Sequence, residues 1–440
     1  MDVRQTQVEE RASPRRRADT GPIHAKRFDA DARGPLAGVR VVDLSRLMAG
    51  NMLSLQLADF GADVVKVENE RGDTLRAVGA GGVSTNWKVY GRNKRSVCVD
   101  LRSADGIDIV KRLVRDADVF VESFKPGVLE QMGLGPDVLL ELRPSLVIAR
   151  ISGWGQTGPY RHKPGFGTLA EGYAGFASIN GFADREPVLP PMFLGDMTAG
   201  LSGAIAVLVA LHACRDGARG QVIDVSLFEP LFSILGPAAA NYVLTGRVKE
   251  RTGSRSSNTA PRNAYRTRDD KWLCLSSSTQ GMAERLFRAI GRADLIDDPR
   301  YATNVQRVQH AGELDAIVGA FVAARDLADN LAFFEKTGVT VGPILDIAQI
   351  VQDHYVIERE ALVELPDDDV GSLPMHGVVP RLSRVCAARP QRRDSAGVRP
   401  LAAHFFLSRT RRDAMRSRRR IDGTKMEAPP GGSELGRIRR

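Results

Sequence analysis

The feature that most constrains the fold of this chain is an alternation. Short β-branched runs recur between residues 39 and 151, separated by stretches with helical spacing. Val39-Arg40-Val41-Val42-Asp43-Leu44 predicts a strand. Residues 48–60 then place apolar side chains (Met52, Leu55, Leu57) at helical intervals and stop before Gly61. Asp63-Val64-Val65-Lys66-Val67-Glu68 predicts a second strand. The pattern continues with a strand over 96–101, a helix over 104–116, and strands over 118–122 and 146–151. Strand, helix and strand within some thirty residues is a βαβ unit, and repeated units build a parallel sheet. The expectation is a doubly wound, Rossmann-like α/β domain.

Beyond that domain, residues 197–213 (MTAGLSGAIAVLVALHA) form an apolar, small-residue helix suited to burial on most faces, followed by a strand over 221–226. Residues 244–262 are polar and rich in turn formers, which marks a linker. Residues 263–345 mix a strand at Trp272-Leu273-Cys274-Leu275 with helices near 281–291 and 312–335. The predicted organisation is a large α/β domain over 35–243, a smaller α+β domain over 263–345, and a return to the large domain over 346–385. Residues 1–34 are polar and Arg-rich and predict a disordered extension. Residues 386–440 predict a disordered basic tail.

Charge supports this division. The net charge is +9, yet residues 386–440 carry fifteen Lys and Arg against five Asp and Glu. The body of the protein is therefore near neutral, and its basicity says nothing about its main partner. No run of 18 apolar residues indicates a membrane span, and the charged N-terminus lacks the apolar core of a secretory signal. Cys98, Cys214, Cys274 and Cys386 are far apart and form no metal-ligand spacing, so they predict reduced thiols in a cytoplasmic protein.

The candidate chemistry sits at Phe193-Leu194-Gly195-Asp196-Met197-Thr198-Ala199-Gly200, the mouth of the small-residue helix. An Asp there predicts an N-cap. Gly195 permits close backbone approach, and Thr198, Ala199 and Gly200 leave room around the carboxylate. Helix-start amides can also hold an anion. A carboxylate nucleophile suits attack on a thioester, because the resulting anhydride keeps the group-transfer potential. Such a site must exclude water.

Several separated motifs resemble the family III CoA-transferases, the CaiB/BaiF group that contains the formyl-CoA:oxalate and carnitine CoA-transferases. They are residues 35–44 (PLAGVRVVDL), 58–68 (ADFGADVVKVE), Asn93-Lys94-Arg95-Ser96, Glu122-Ser123-Phe124-Lys125-Pro126-Gly127 with Met132-Gly133-Leu134, residues 153–159 (GWGQTGP), Gly195-Asp196 and Arg219-Gly220-Gln221. The resemblance covers about residues 35–384 and implies that Asp196 is the nucleophile, carrying aspartyl anhydride and aspartyl-CoA intermediates. It implies a CoA groove at Leu47, Met48, Ala49, Val99, Leu101, Arg102, Ser123, Phe124, Lys125, Gln131 and Met132. Lys94, Arg95, Arg102 and Lys125 are then the candidate phosphate partners. It further implies an interlocked homodimer and no metal or organic cofactor beyond CoA as substrate. Met48, Asn69 and Phe166-Gly167 depart from oxalate-using members, and Pro164-Gly165-Phe166-Gly167 resembles users of dicarboxylic acyl-CoAs such as succinyl-CoA.

Three rivals remain at this stage. A 2-methylacyl-CoA racemase of the same superfamily would need a His beside the Asp, where this chain has Gly165-Phe166-Gly167. A nicotinamide-dependent dehydrogenase would need G-x-G-x-x-G after the first strand, where Ser45-Arg46-Leu47-Met48-Ala49-Gly50 offers a single glycine. A nucleic-acid-binding protein would have to work through the basic tail.

Overall fold

The computed structural model describes residues 23–27, 33–215 and 217–383. Its centre is a sheet of six strands: β1 (Arg40–Asp43), β2 (Asp63–Glu68), β3 (Lys94–Cys98), β4 (Val119–Glu122), β5 (Val147–Ser152) and β6 (Val222–Ser226). They lie in the order 3-2-1-4-5-6, and every pairing is parallel. This is the doubly wound arrangement, with its switch point between β1 and β4. The strands read as near-continuous apolar runs because both faces are covered. Val41, Val119, Val121 and Val147 face one buried cluster, while Val42, Phe120 and Ile148 face the other.

The crossovers and flanking helices are α1 (Leu47–Asp59), α2 (Thr85–Tyr90), α3 (Ala104–Arg115), α4 (Val128–Gln131), α5 (Pro136–Leu142), α6 (Gly167–Tyr173), α7 (Phe176–Ile179), α8 (Leu194–Arg215), α9 (Phe228–Ser233) and α10 (Ala238–Thr245). Helix α8 crosses α1 closely. A Cβ on Gly200 would stand 2.6 Å from the Ala49 carbonyl oxygen and 2.7 Å from Met52 Cβ, so this crossing needs glycine. The burial of α8 is narrower than its composition predicts. Ala199, Gly200, Gly203, Ala204, Val207 and Ala210 are buried, but Leu201, Ile205, Leu208 and Val209 are exposed.

A second core lies under β7 (Arg262–Arg266), β8 (Trp272–Ser276) and β9 (Val341–Pro343), an antiparallel sheet covered by α11 (Gln280–Ala289), α12 (Asn304–Gln309), α13 (Ala311–Ala323) and α14 (Leu327–Thr337). The helix expected over 312–335 is two helices. Asn330 Nδ2 donates to the carbonyls of Val322, Arg325 and Asp326, which ties off the end of α13 and restarts the chain at α14.

After α15 (Ile347–Ile350) and α16 (His354–Glu358), the hairpin β10 (Leu362–Asp367) and β11 (Gly371–His376) packs against α2. Lys88 is buried between Asp367 and Asp369 at 2.6 Å from each, and Arg92 donates to the His376 carbonyl. The expected N-terminal extension is not featureless. Ala25 bridges to Glu364, Ile23 is buried, and Lys26 pairs with Glu360. The basic tail over 386–440 lies outside the described residues.

Candidate active site

Ligands of doubly wound sheets settle where the strands end, and a cleft of about 510 Å³ opens there. Its walls are the turns that leave β1 (Leu44, Ser45, Arg46), β2 (residues 67–73), β3 (Asp100, Leu101, Arg102) and β4 (Phe124), together with Met132. Four of the groove residues expected from sequence therefore meet in one cleft: Leu101, Arg102, Phe124 and Met132. Ser123 supports the same edge, its Oγ accepting a 2.9 Å hydrogen bond from the Arg46 amide. Lys125 and Gln131 are exposed nearby in sequence, on the segment that follows β4.

Two expected phosphate partners are elsewhere. Lys94 opens β3, at the opposite edge of the sheet, because β3 begins two residues earlier than its sequence predicts and pairs from Val64↔Lys94 to Glu68↔Cys98. Its ammonium is buried, donates to the carbonyl and side-chain oxygens of Asn51, and lies 3.9 Å from Asp43. Burial pushes it down to about 7. Arg95 forks onto Asp63 at the same amino edge. Val99, Met48 and Ala49 are also core residues: Val99 packs under the sheet, Ala49 against α8, and Met48 with Leu75 and Trp87.

Sequence reasoning missed Arg46 and Arg71. Both line the cleft and are exposed, and no described carboxylate forms an ion pair with either. Arg102, by contrast, is engaged by Asp100 at 2.8 Å. The signal was available in position alone: a cation in the turn directly after a parallel strand faces the ligand edge.

Leu47, which follows the cleft-lining Arg46 but does not itself line the cleft, is in a left-handed conformation (φ 62°). Its amide donates to Asp73 Oδ1 at 3.0 Å. Lys66 is fully buried between Asp43 (3.2 Å) and Asp73 (3.3 Å) and also donates to the Ser45 carbonyl. Burial alone would raise Asp73, but the Lys66 charge and the amides of Leu75 and Leu47 outweigh it and hold the carboxyl below its usual range.

Asp196 is not an N-cap. It is the third residue of α8, inside the first turn. The room beside it comes from an unexpected source. Thr198 Oγ1 turns back onto the Leu194 and Gly195 carbonyls, and Ala199 and Gly200 are packed into the core. The space is made by Gly167 at the start of α6, where a Cβ would stand 2.3 Å from Asp196 Oδ2. No described cation forms an ion pair with the Asp196 carboxylate. Burial, and then the charge of Glu171, raise it from 3.8 to about 6. Glu171 is itself buried and accepts a 3.0 Å hydrogen bond from the Gly195 amide. Met197 packs with Met48, Leu75 and Trp87, so the turn carrying Asp196 abuts the start of α1, whose preceding loop walls the cleft.

His162, the only His near the Gly165-Phe166-Gly167 step in sequence, is exposed and accepts from Arg161 Nε at 2.8 Å. Among the described residues, no group of three or more His, Cys, Asp and Glu is gathered as a metal site.

A cleft at the carboxyl edge of a doubly wound sheet, next to a half-buried carboxylate that pairs with no described cation, fits a class: an α/β enzyme that works on an activated group. Comparison with known proteins narrows it. Residues 36–394 match CoA-transferase family III. The succinyl-CoA–D-citramalate CoA-transferase of Chloroflexus aurantiacus is 39% identical over 353 residues, covering 79% of this chain and 88% of that protein. The succinate–glutarate CoA-transferase of Agrobacterium fabrum is 37% identical over 351 residues, covering 77% and 87%. A crystal structure of a CaiB/BaiF family protein from Brucella suis superposes with a TM-score of 0.73 at 30% identity, covering 86% of this chain and 99% of that one. This chain belongs to CoA-transferase family III, and it moves CoA from an acyl-CoA to a carboxylic acid.

Proposed function

We propose that the donor is a dicarboxylic acyl-CoA, succinyl-CoA first among them, and that the exchange runs through covalent intermediates on Asp196. The donor class is supported by the relatives, whose names pair succinyl-CoA or succinate with citramalate and glutarate, and by Pro164-Gly165-Phe166-Gly167. The observation that carries the Asp196 assignment is its carboxylate, without an ion-pair partner among the described residues, against the Gly167 gap and beside the cleft.

An Asp196 oxygen attacks the thioester carbonyl, the C–S bond breaks, and CoA leaves as thiolate with the electron pair. The thiolate then attacks the aspartyl carbonyl of the anhydride. The donor acid departs and an aspartyl-CoA thioester remains. The acceptor carboxylate attacks that thioester, forms a second anhydride, and releases thiolate. The thiolate takes the acceptor acyl group and restores Asp196. Arg46, Arg71 and Arg102, which line the cleft, would meet the CoA phosphates, with Lys125 from the segment after β4 as a further candidate, and CoA is a substrate with no further cofactor in this scheme. The free thiols Cys98, Cys214 and Cys274 suit a reducing cytoplasm.

Mass spectrometry after incubation with a panel of acyl-CoAs tests the proposal. A hydroxylamine-sensitive adduct on Asp196, most abundant with succinyl-CoA, is expected. Deuterium entering the α-carbon of a 2-methylacyl-CoA without acid exchange would identify a racemase instead.

A further inference from the structure

Asp196 has a neighbour that no motif singles out. Glu171 lies one turn into α6, is 3% exposed, and forms no ion pair with any described cation. Its Oε1 accepts a 3.0 Å hydrogen bond from the amide of Gly195, the residue immediately before the nucleophile. A buried carboxylate is costly unless something compensates it, and among the described residues the compensation is one backbone donor at the first turn of α8.

Resting on the reading of Asp196 as nucleophile, we propose that Glu171 is a positioning residue that fixes the first turn of α8 and drives Asp196 toward its acylated form. The argument is one of charge. The free enzyme holds two carboxylates against each other. When Asp196 attacks the thioester carbonyl, its negative charge leaves with the CoA thiolate and the aspartyl group becomes neutral. The repulsion from Glu171 is then gone. Each covalent intermediate on Asp196 is neutral in the same way, so Glu171 favours all of them over the free carboxylate. The same repulsion makes Asp196 more basic, and a more basic carboxylate is the better nucleophile.

The other charged groups on the elements packed around this turn are engaged elsewhere. Glu229 of α9 is held by Ser226, Asp224 of β6 accepts the Gln156 amide, Arg150 of β5 is clasped by Glu122 and Glu130, and Asp59 of α1 pairs with Arg92. Glu171 is the charge that bears on Asp196.

The test is Glu171→Gln, whose amide oxygen still accepts from Gly195 while the charge is removed. The acid limb of kcat/KM should move down by roughly one pH unit from its wild-type position near 6. At a fixed acyl-CoA to CoA ratio, adduct on Asp196 should fall about tenfold, since one pKa unit and a tenfold equilibrium change are the same free energy. A merely structural role would leave both unchanged in the Gln variant. An acid limb and an adduct yield identical to wild type, with the adduct still on Asp196, would overturn the role of Glu171 alone. Wild-type protein with no adduct on Asp196 would overturn the nucleophile and Glu171 together. The wild-type profile also tests the idea without a variant, because an acid limb near the ordinary aspartate value would mean that Glu171 exerts no such pressure.

Discussion

At position 196 the fold holds a carboxylate where a neutral side chain would be more comfortable. Its acid form is the one the folded chain prefers, since burial and then Glu171 raise it from 3.8 to about 6. Asp196 therefore contributes stability below its unfolded value, near pH 4, and that contribution is lost as pH rises through about 6. Asp196→Asn should abolish CoA exchange and yet stabilise the protein at pH 7 by roughly 1–3 kcal/mol, the gain fading toward pH 4. Urea denaturation at the two pH values reads this directly, and equal or lower stability of the variant at pH 7 would contradict the strained-carboxylate picture. The position of Asp196 was legible because it follows a glycine and opens a long apolar helix. Gly167 and Glu171 were not. Their contacts with the Asp196 turn come from α6 folding across α8, and nothing in their own segment announces that meeting. Lys94 misled in the opposite way, being a cation in a family motif whose ammonium the sheet carries inward to Asn51.

At the scale of elements, the alternation of strands and helices was readable because parallel strands buried on both faces leave long apolar runs, and each helix between them has its own stop. What sequence could not supply was the order of the strands and the identity of the charges buried beneath the cleft. Those charges hold the β1–α1 turn. Lys66 lies between Asp43 and Asp73, and Asp73 in turn holds the amide of Leu47 in its left-handed conformation. Removing one partner of a buried cluster leaves the others uncompensated. Lys66→Met should cost roughly 3–5 kcal/mol of stability, and it should raise the KM for acyl-CoA as the turn that carries Arg46 loosens. Guanidinium denaturation together with initial rates distinguishes the two effects. A fold as stable as wild type would mean that Asp43 and Asp73 are satisfied without the ammonium.

Over the whole molecule the least expected surface is the outer stripe of α8. Ile205 and Val209 are each 64% exposed, and Leu201 and Leu208 are exposed beside them. By length and composition this helix could cross a membrane, with a mean hydropathy of 1.8 over its most apolar window. Its other face argues for a different role, because Ala199, Gly203, Val207 and Ala210 are built into the core against α1 and the sheet. A helix fixed in that way can offer one stripe to a partner but cannot leave the fold to span a bilayer. Helix α9, which packs against α8, exposes Phe232, and Ile234, Tyr242, Val243 and Leu244 are exposed farther along the chain. A surface of this kind is covered in a stable protein, and the occupant we propose is a second copy of the chain. A two-fold interface needs only one self-complementary patch, and a stripe along a straight helix supplies it. Sedimentation should give twice the chain mass of 47.9 kDa. Ile205→Arg should shift the protein toward monomer and lower its exchange activity together, if the dimer is what excludes water from Asp196. Monomeric wild-type protein at micromolar concentration would sink the proposal, and co-flotation with lipid vesicles under the same conditions would revive the membrane as the partner of this face.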